Sequence, residues 1–252
     1  MKFKFKIGFV FLIIGLISCK NQKKELNETE TKQQEVAEQT ENNPVIRTAD
    51  PSAHIWEDGK VWMYTSQDME DATFYDSMDG YHAFSSTDMV NWTDHGEVLH
   101  SRDIPWGAKG WMWAPTAIYK NNKYYLIYPH SVKGTKEDMR CGVAVSDVPE
   151  GPFKDIGWIE GVEGQWLDPC VFEDEDGKVY LYWGVREPKV ALLKDNLLEL
   201  VEAPRPIEYG GKNFFEASYM HKYKGKYYFS YNAGLGGFYA MGDSPYGPFE
   251  YK

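Results

Sequence analysis

One hairpin signal recurs four times along this chain, and it constrains the fold more than any other feature. Asp58-Gly59-Lys60 precedes Val61-Trp62-Met63-Tyr64, and Asn121-Asn122-Lys123 precedes Tyr124-Tyr125-Leu126-Ile127-Tyr128. It returns as Asp176-Gly177-Lys178 before Val179-Tyr180-Leu181-Tyr182, and as Lys224-Gly225-Lys226 before Tyr227-Tyr228-Phe229. Asp-Gly and Asn-Asn suit turns that need positive φ, and aromatic and β-branched residues suit the strands that follow. The intervals are 63, 55 and 48 residues. A second signal, Ser146-Asp147-Val148-Pro149-Glu150-Gly151-Pro152-Phe153, is echoed by Gly242-Asp243-Ser244-Pro245-Tyr246-Gly247-Pro248-Phe249. Each copy falls where a third strand would turn into a fourth. From Pro44 onward no stretch holds a 3.6-residue apolar period. Repeats of roughly 40–50 residues with four strands each mark a β-propeller. A two-sheet sandwich also has short strands, but it gives no reason for four copies of one hairpin. The expected fold class is therefore all-β, a β-propeller with four blade repeats over residues 44–252.

The first residues read as an address. Lys2, Lys4 and Lys6 precede an apolar run from Ile7 to Ile17, too short to span a bilayer core. The run ends in Leu16-Ile17-Ser18-Cys19, which resembles the lipobox of bacterial lipoproteins. This resemblance implies a signal peptide over 1–18, acylation of the Cys19 thiol, and a lipid-anchored place in a bacterial cell envelope. An ordinary secretory signal with a chance cysteine is the alternative. Residues 20–43 hold no aromatic side chain and are dominated by Lys, Glu, Gln, Asn and Thr. Such a segment buries too little apolar surface to offset its ordering entropy, so it is expected to be a flexible tether.

Counting back nine residues from each hairpin Gly or Asn gives Asp50, Trp113, Asp168 and Glu216. In a propeller, equivalent positions on the innermost strands converge on one end of the axis. Three acids from three blades would meet there, beside an aromatic wall. Like charges crowded in a partly desolvated pocket cannot all ionise normally, so at least one pKa is expected to rise. A pair of acids with separated pKa values is the equipment of glycosidic bond hydrolysis. The alternative makes each acid a turn or strand-edge residue, and Asp68, Asp79 and Asp174 are expected to be of that kind. Trp113 is either a flat face for a sugar ring or a core aromatic between blades. Phe215, beside Glu216, is open to the same two readings. Arg186 is either a ligand for a sugar hydroxyl or acid, or half of a surface ion pair, and is not counted in the site. The segments Met69–Gly80 and Ser131–Arg140 are expected to form the rim that selects the sugar.

At these residues the sequence resembles glycoside hydrolase family 43, five-bladed propeller enzymes acting on arabinose- and xylose-containing polysaccharides. The resemblance rests on Ala49-Asp50-Pro51-Ser52, Trp113-Ala114-Pro115, Leu167-Asp168-Pro169 and Phe215-Glu216-Ala217-Ser218. It implies Asp50 as general base, Glu216 as general acid, and Asp168 as the residue that orients Glu216 and raises its pKa. It also implies inversion at the anomeric carbon and a plant-type oligosaccharide or polysaccharide as partner. Many members have Gly-Pro where this chain has Ala217-Ser218. Members also continue into a fifth blade, which brings a histidine toward the axis and sometimes a calcium ion. Four repeats precede Lys252, which leaves three expectations open: a fragment of a longer product, pairing with another chain, or loss of activity. Structural calcium occurs in the family but is not supported by these residues, and no cofactor is required.

Other functions find little footing. The net charge of −11 gives nothing to displace phosphate counterions, so no nucleic-acid partner is expected. Six histidines form no helical His-x-x-x-His pair, and three cysteines form no Cys-x-x-Cys, so no metal site is expected. Cys141 and Cys170 are either a disulfide pair or two small buried residues. A nucleophile elbow, a phosphate loop and a dinucleotide fingerprint are all absent. A glycan-binding surface lipoprotein without turnover, or an enzyme of the same fold cutting β-galactosides or fructosides, are the remaining alternatives.

Overall fold

The computed structural model describes residues 47–252, apart from 71, 73, 137, 165–167, 212 and 235. Cys19, the leader and the tether lie outside the described residues. Four antiparallel four-stranded sheets follow one another, each a simple meander. Blade 1 is β1 (Thr48–Ile55), β2 (Val61–Asp68), β3 (Met78–Ser86) and β4 (Thr93–His100). Blade 2 is β5 (Thr116–Lys120), β6 (Lys123–Ser131), β7 (Met139–Ser146) and β8 (Lys154–Gly164). Blade 3 is β9 (Cys170–Glu173), β10 (Val179–Trp183), β11 (Lys189–Leu193) and β12 (Arg205–Pro206). Blade 4 is β13 (Glu216–Tyr223), β14 (Lys226–Asn232), β15 (Gly237–Gly242) and β16 (Glu250–Tyr251). The β-propeller expected from the repeats, with four blades, is the fold observed.

Each recurring hairpin joins the first strand of a blade to the second. In blade 4 the pairing Tyr223↔Lys226 leaves a two-residue turn, with Lys224 at φ 48° and Gly225 at φ 75°. Both central residues are left-handed, the type I′ condition that matches strand twist. Asn121 (φ 53°) and Asn122 (φ 60°) meet it in blade 2. Blades 1 and 3 use a longer turn, in which Gly59 N donates to Trp56 O at 3.0 Å and Gly177 N to Asp174 O at 2.8 Å. There the aspartates cap the chain: Lys60 N donates to Asp58 Oδ1 at 3.0 Å, and Lys178 N to Asp176 Oδ1 at 3.1 Å.

The second repeated signal joins the third strand to the fourth in blades 2 and 4, and its Phe153 and Phe249 are 4% and 3% exposed. Each of these turns is held by a tyrosine of the preceding blade. Tyr64 Oη donates to Pro149 O at 2.9 Å, and Tyr182 Oη donates to Pro245 O at 2.7 Å. The core falls into three clusters, one at each junction between consecutive blades. Trp62, Tyr64, Tyr81 and Leu126 join blades 1 and 2; Ile127, Val143, Leu181 and Trp183 join blades 2 and 3; Tyr182, Phe229 and Tyr231 join blades 3 and 4. The alternating strand pattern buries one face against each neighbour. Cys141 and Cys170 are buried and both free, so they are two small buried residues rather than a disulfide pair.

Candidate active site

The innermost strands are neighbours in sequence order: β1 packs on β5, β5 on β9, and β9 on β13. Asp50 lies near the start of β1, Asp168 two residues before β9, and Glu216 opens β13. All three are thus at the end of the blades opposite the hairpins. The connections β2–β3 and β6–β7, which fall within the expected rim segments, lie at this same end. They are shorter than expected, since Met78–Gly80, Ser131 and Met139–Arg140 belong to strands.

Backbone irregularity aims two of the acids. Between the pairs Ala49↔Ser66 and Ser52↔Tyr64, β1 advances one residue more than β2, and Asp50 takes φ 54°. Blade 4 repeats this bulge between Glu216↔Asn232 and Tyr219↔Ser230, with Ala217 at φ 58°. A bulge breaks the alternation of side chains and re-aims those beside it. Asp168, at φ 38°, makes the equivalent left-handed turn in blade 3.

The three carboxyl groups share one electrostatic environment. Asp168 is pushed up to about 7, first by burial and then by the charges of Glu216 and Asp50. A hydrogen bond from Ala217 N to Asp168 Oδ2, 3.3 Å, opposes that rise. Burial raises Glu216, Asn232 Nδ2 donating to Oε1 at 3.3 Å lowers it, and Asp50 raises it. Asp50 keeps solvent access, yet burial of its carboxyl raises its pKa. Ser66 Oγ, donating at 2.9 Å, opposes this, and the charge of Asp68 adds to it. All three carboxyls are raised, and the site carries a proton into the neutral range. Acid and base can coexist there.

The aromatic residues divide. Trp113 is 9% exposed and packs with Ile118, Met139 and Trp183 between blades 2 and 3, the burial of a core aromatic. Its carbonyl accepts from the buried Tyr81 Oη at 2.8 Å. Phe215 is half-buried, its N–H donating to Asn232 O and its carbonyl accepting from Arg186 N, each at 2.8 Å. Arg186, exposed and at φ 62°, thus adjoins the segment that carries Glu216.

Ser66 and Asn232 do not stand out in the sequence. Each lies seven residues after its hairpin glycine, Gly59 or Gly225. The count that finds the acids, run forward, finds their donors. Asp79 departs from the turn or strand-edge role expected of it: it is 8% exposed and accepts from Gly110 N at 2.8 Å and from Ser101 Oγ. Among the described residues no three His, Cys, Asp or Glu side chains form a metal-ligating group. A separate cavity of about 470 Å³ is lined by His54, Trp56, Ile118, Phe172, Tyr219 and His221, on the hairpin side of the innermost strands and away from the acids.

A model of the family described as Glycosyl hydrolases family 43 matches residues 41–252. The chain belongs to that family. It is a glycosidase that hydrolyses O-glycosyl bonds. A Bacteroides ovatus protein named xylosidase/arabinosidase is 37% identical, over 81% of this chain and 76% of its own length. Xylosidase/arabinosidase 43A of Humicola insolens is 39% identical, over 82% of this chain and 79% of its own. Among solved structures, a β-xylosidase/α-arabinofuranosidase from a compost metagenome, in complex with xylotriose, superposes with a TM-score of 0.74. It is 36% identical and covers 82% of this chain and 77% of that one. A family 43 enzyme of Xanthomonas citri complexed with xylose gives 0.76 at 31% identity, covering 86% and 78%.

Proposed function

We propose that this family 43 glycosidase cleaves xylosyl or arabinofuranosyl linkages of plant-type polysaccharides with inversion at the anomeric carbon. The observation that carries the reading is the mutual charge coupling of Asp50, Asp168 and Glu216, contributed by three blades to one end of the axis. Glu216 donates its proton to the glycosidic oxygen as the C–O bond breaks. Asp50 accepts a proton from a water whose oxygen attacks the anomeric carbon from the opposite face. Asp168 accepts from Ala217 N, which orients the segment bearing Glu216, while the charge of Asp50 raises the pKa of Glu216 itself. Phe215 lines the sugar-facing side in this reading, and Trp113 backs the site from the core between blades 2 and 3. The relatives named for both xylosidase and arabinosidase activity support the choice of pentosides.

The test is hydrolysis of aryl β-D-xyloside, α-L-arabinofuranoside and β-D-galactoside, with the product anomer followed by NMR. Turnover of a pentoside with inverted product supports the reading. A retained anomer overturns the base role of Asp50, and turnover of the galactoside alone overturns the substrate.

The same reading places the enzyme in a bacterial cell envelope, lipid-anchored through Cys19 at the end of the apolar run. Incorporation of labelled palmitate that is lost in Cys19→Ser tests it. Equal labelling of both forms would remove the anchor.

A further inference from the structure

A non-glycine residue in the left-handed region stands within the first residues of each innermost strand or up to five residues before it. These are Asp50, Asp168 and Ala217 in blades 1, 3 and 4, and Trp111 at φ 64° in blade 2. In blades 1, 3 and 4 this residue is an acid of the site or the neighbour of one. A left-handed conformation is costly for a bulky side chain and persists only where the surroundings over-determine it. In blade 2 they do. Gly110 N donates to the buried Asp79 Oδ1 at 2.8 Å, Trp111 N to Asp76 O at 3.1 Å, and Met112 N to Met78 O at 3.0 Å. Asp79 is itself fixed by Ser101 Oγ, and its Oδ2 lies 3.5 Å from His100 Nε2. Gly110 cannot be replaced cheaply, since a Cβ there would lie 2.2 Å from Asp76 O. The loop between β4 and β5 is thus pinned residue by residue, yet the Trp111 side chain is left partly exposed. It leans on the buried Trp113, ring centroids 5.5 Å apart.

We propose that Trp111, held left-handed by the Asp79 clamp, is the aromatic platform that blade 2 presents to a sugar ring in the carboxylate site. The inference rests on the glycosidase site proposed above and makes Trp113 its support. An indole offers a large flat apolar face suited to the C–H surface of a pentose ring. Asp79 acts through the loop and is a positioning residue.

The experiment uses the full chain, with xylotriose as the probe for binding and an aryl pentoside for turnover, on wild type, Trp111→Ala, Trp111→Phe and Asp79→Asn. Trp111→Ala is expected to raise the xylotriose Kd and the KM at least tenfold, with a smaller change in kcat. Trp111→Phe should restore most of the loss. Asp79→Asn, which keeps the indole, should raise Kd and KM in the same direction and alter the near-ultraviolet tryptophan dichroism. Folded Trp111→Ala with Kd and KM within twofold of wild type would overturn the proposal, as would a KM change in Asp79→Asn without any change in tryptophan dichroism. A wild type that binds xylotriose through Trp111 without turnover would keep the platform and overturn the hydrolytic reading. A wild type that neither binds nor turns over would overturn both.

Discussion

Ala217 N donates to Asp168 Oδ2 at 3.3 Å, and this single bond ties the residue after Glu216 to the carboxyl of the preceding blade. It couples position to charge. The group that orients the acid's segment also has its own pKa pushed up to about 7. Its consequences for activity and stability can be measured separately.

Glu216→Gln removes the proton donor while keeping size and the reach of Asn232. Turnover of natural oligosaccharides should fall by ~10²–10⁴-fold, with a smaller fall on aryl glycosides whose leaving group needs little protonation. Steady-state kinetics on both substrate types checks it. Equal losses on both would remove Glu216 from the acid role.

Asp50→Asn should lower turnover by about 10²–10⁴-fold on aryl glycosides and oligosaccharides alike, since a better leaving group does not replace the base. Retained aryl-glycoside activity would count decisively against Asp50.

The pH profile should be bell-shaped, with Asp50 ionised and Glu216 protonated in the active form. Ser66 Oγ donates to Asp50 and favours its charged form, so Ser66→Ala should move the acid limb to higher pH. Asn232 Nδ2 does the same for Glu216, so Asn232→Leu should move the alkaline limb to higher pH. Limbs that stay in place in both variants would mean that other groups control the profile.

Asp168 also sets a pH dependence of stability. Its folded pKa of about 7 lies above the unfolded value of ~3.9, so the native state binds more protons between them. Its stabilising contribution is complete below the unfolded value and is lost as pH rises through about 7. Asp168→Asn should therefore raise Tm relative to wild type more at pH 8 than at pH 4, on calorimetry at the two pH values. A Tm difference independent of pH would mean that Asp168 ionises normally.

Tyr81 is fully buried, and its hydroxyl donates to Trp113 O at 2.8 Å. Tyr81→Phe leaves that carbonyl without this donor and should cost ~1–3 kcal/mol in urea unfolding. A loss below about 0.5 kcal/mol would show the carbonyl satisfied elsewhere.

The hairpins were legible because turn chemistry is local. Asn121-Asn122 and Lys224-Gly225 adopt the turns their residue types suit. The acids were legible because a propeller repeats one phase, and nine residues back from a hairpin glycine is the same end of each innermost strand for Asp50, Asp168 and Glu216. The count failed to separate Trp113 from Trp111. Residue type says nothing of a left-handed tryptophan, since tryptophan avoids that region when unconstrained. The contacts of Gly110 with Asp79, of Trp111 with Asp76 and of Met112 with Met78, made across two blades, hold it there. Asp79 was missed for a related reason: an aspartate beside a glycine reads as a turn, and its burial depends on Ser101 and Gly110, 22 and 31 residues away.

By itself the sequence determined the strands, their turns, the fourfold repeat and the identity of the three acids, all set by local preference and periodic spacing. The tertiary structure decided that the pKa values of all three acids rise and which tryptophan stays accessible. Desolvation and charge coupling depend on distances between groups about fifty residues or more apart in the chain, and those distances exist only once the blades have packed around a common axis.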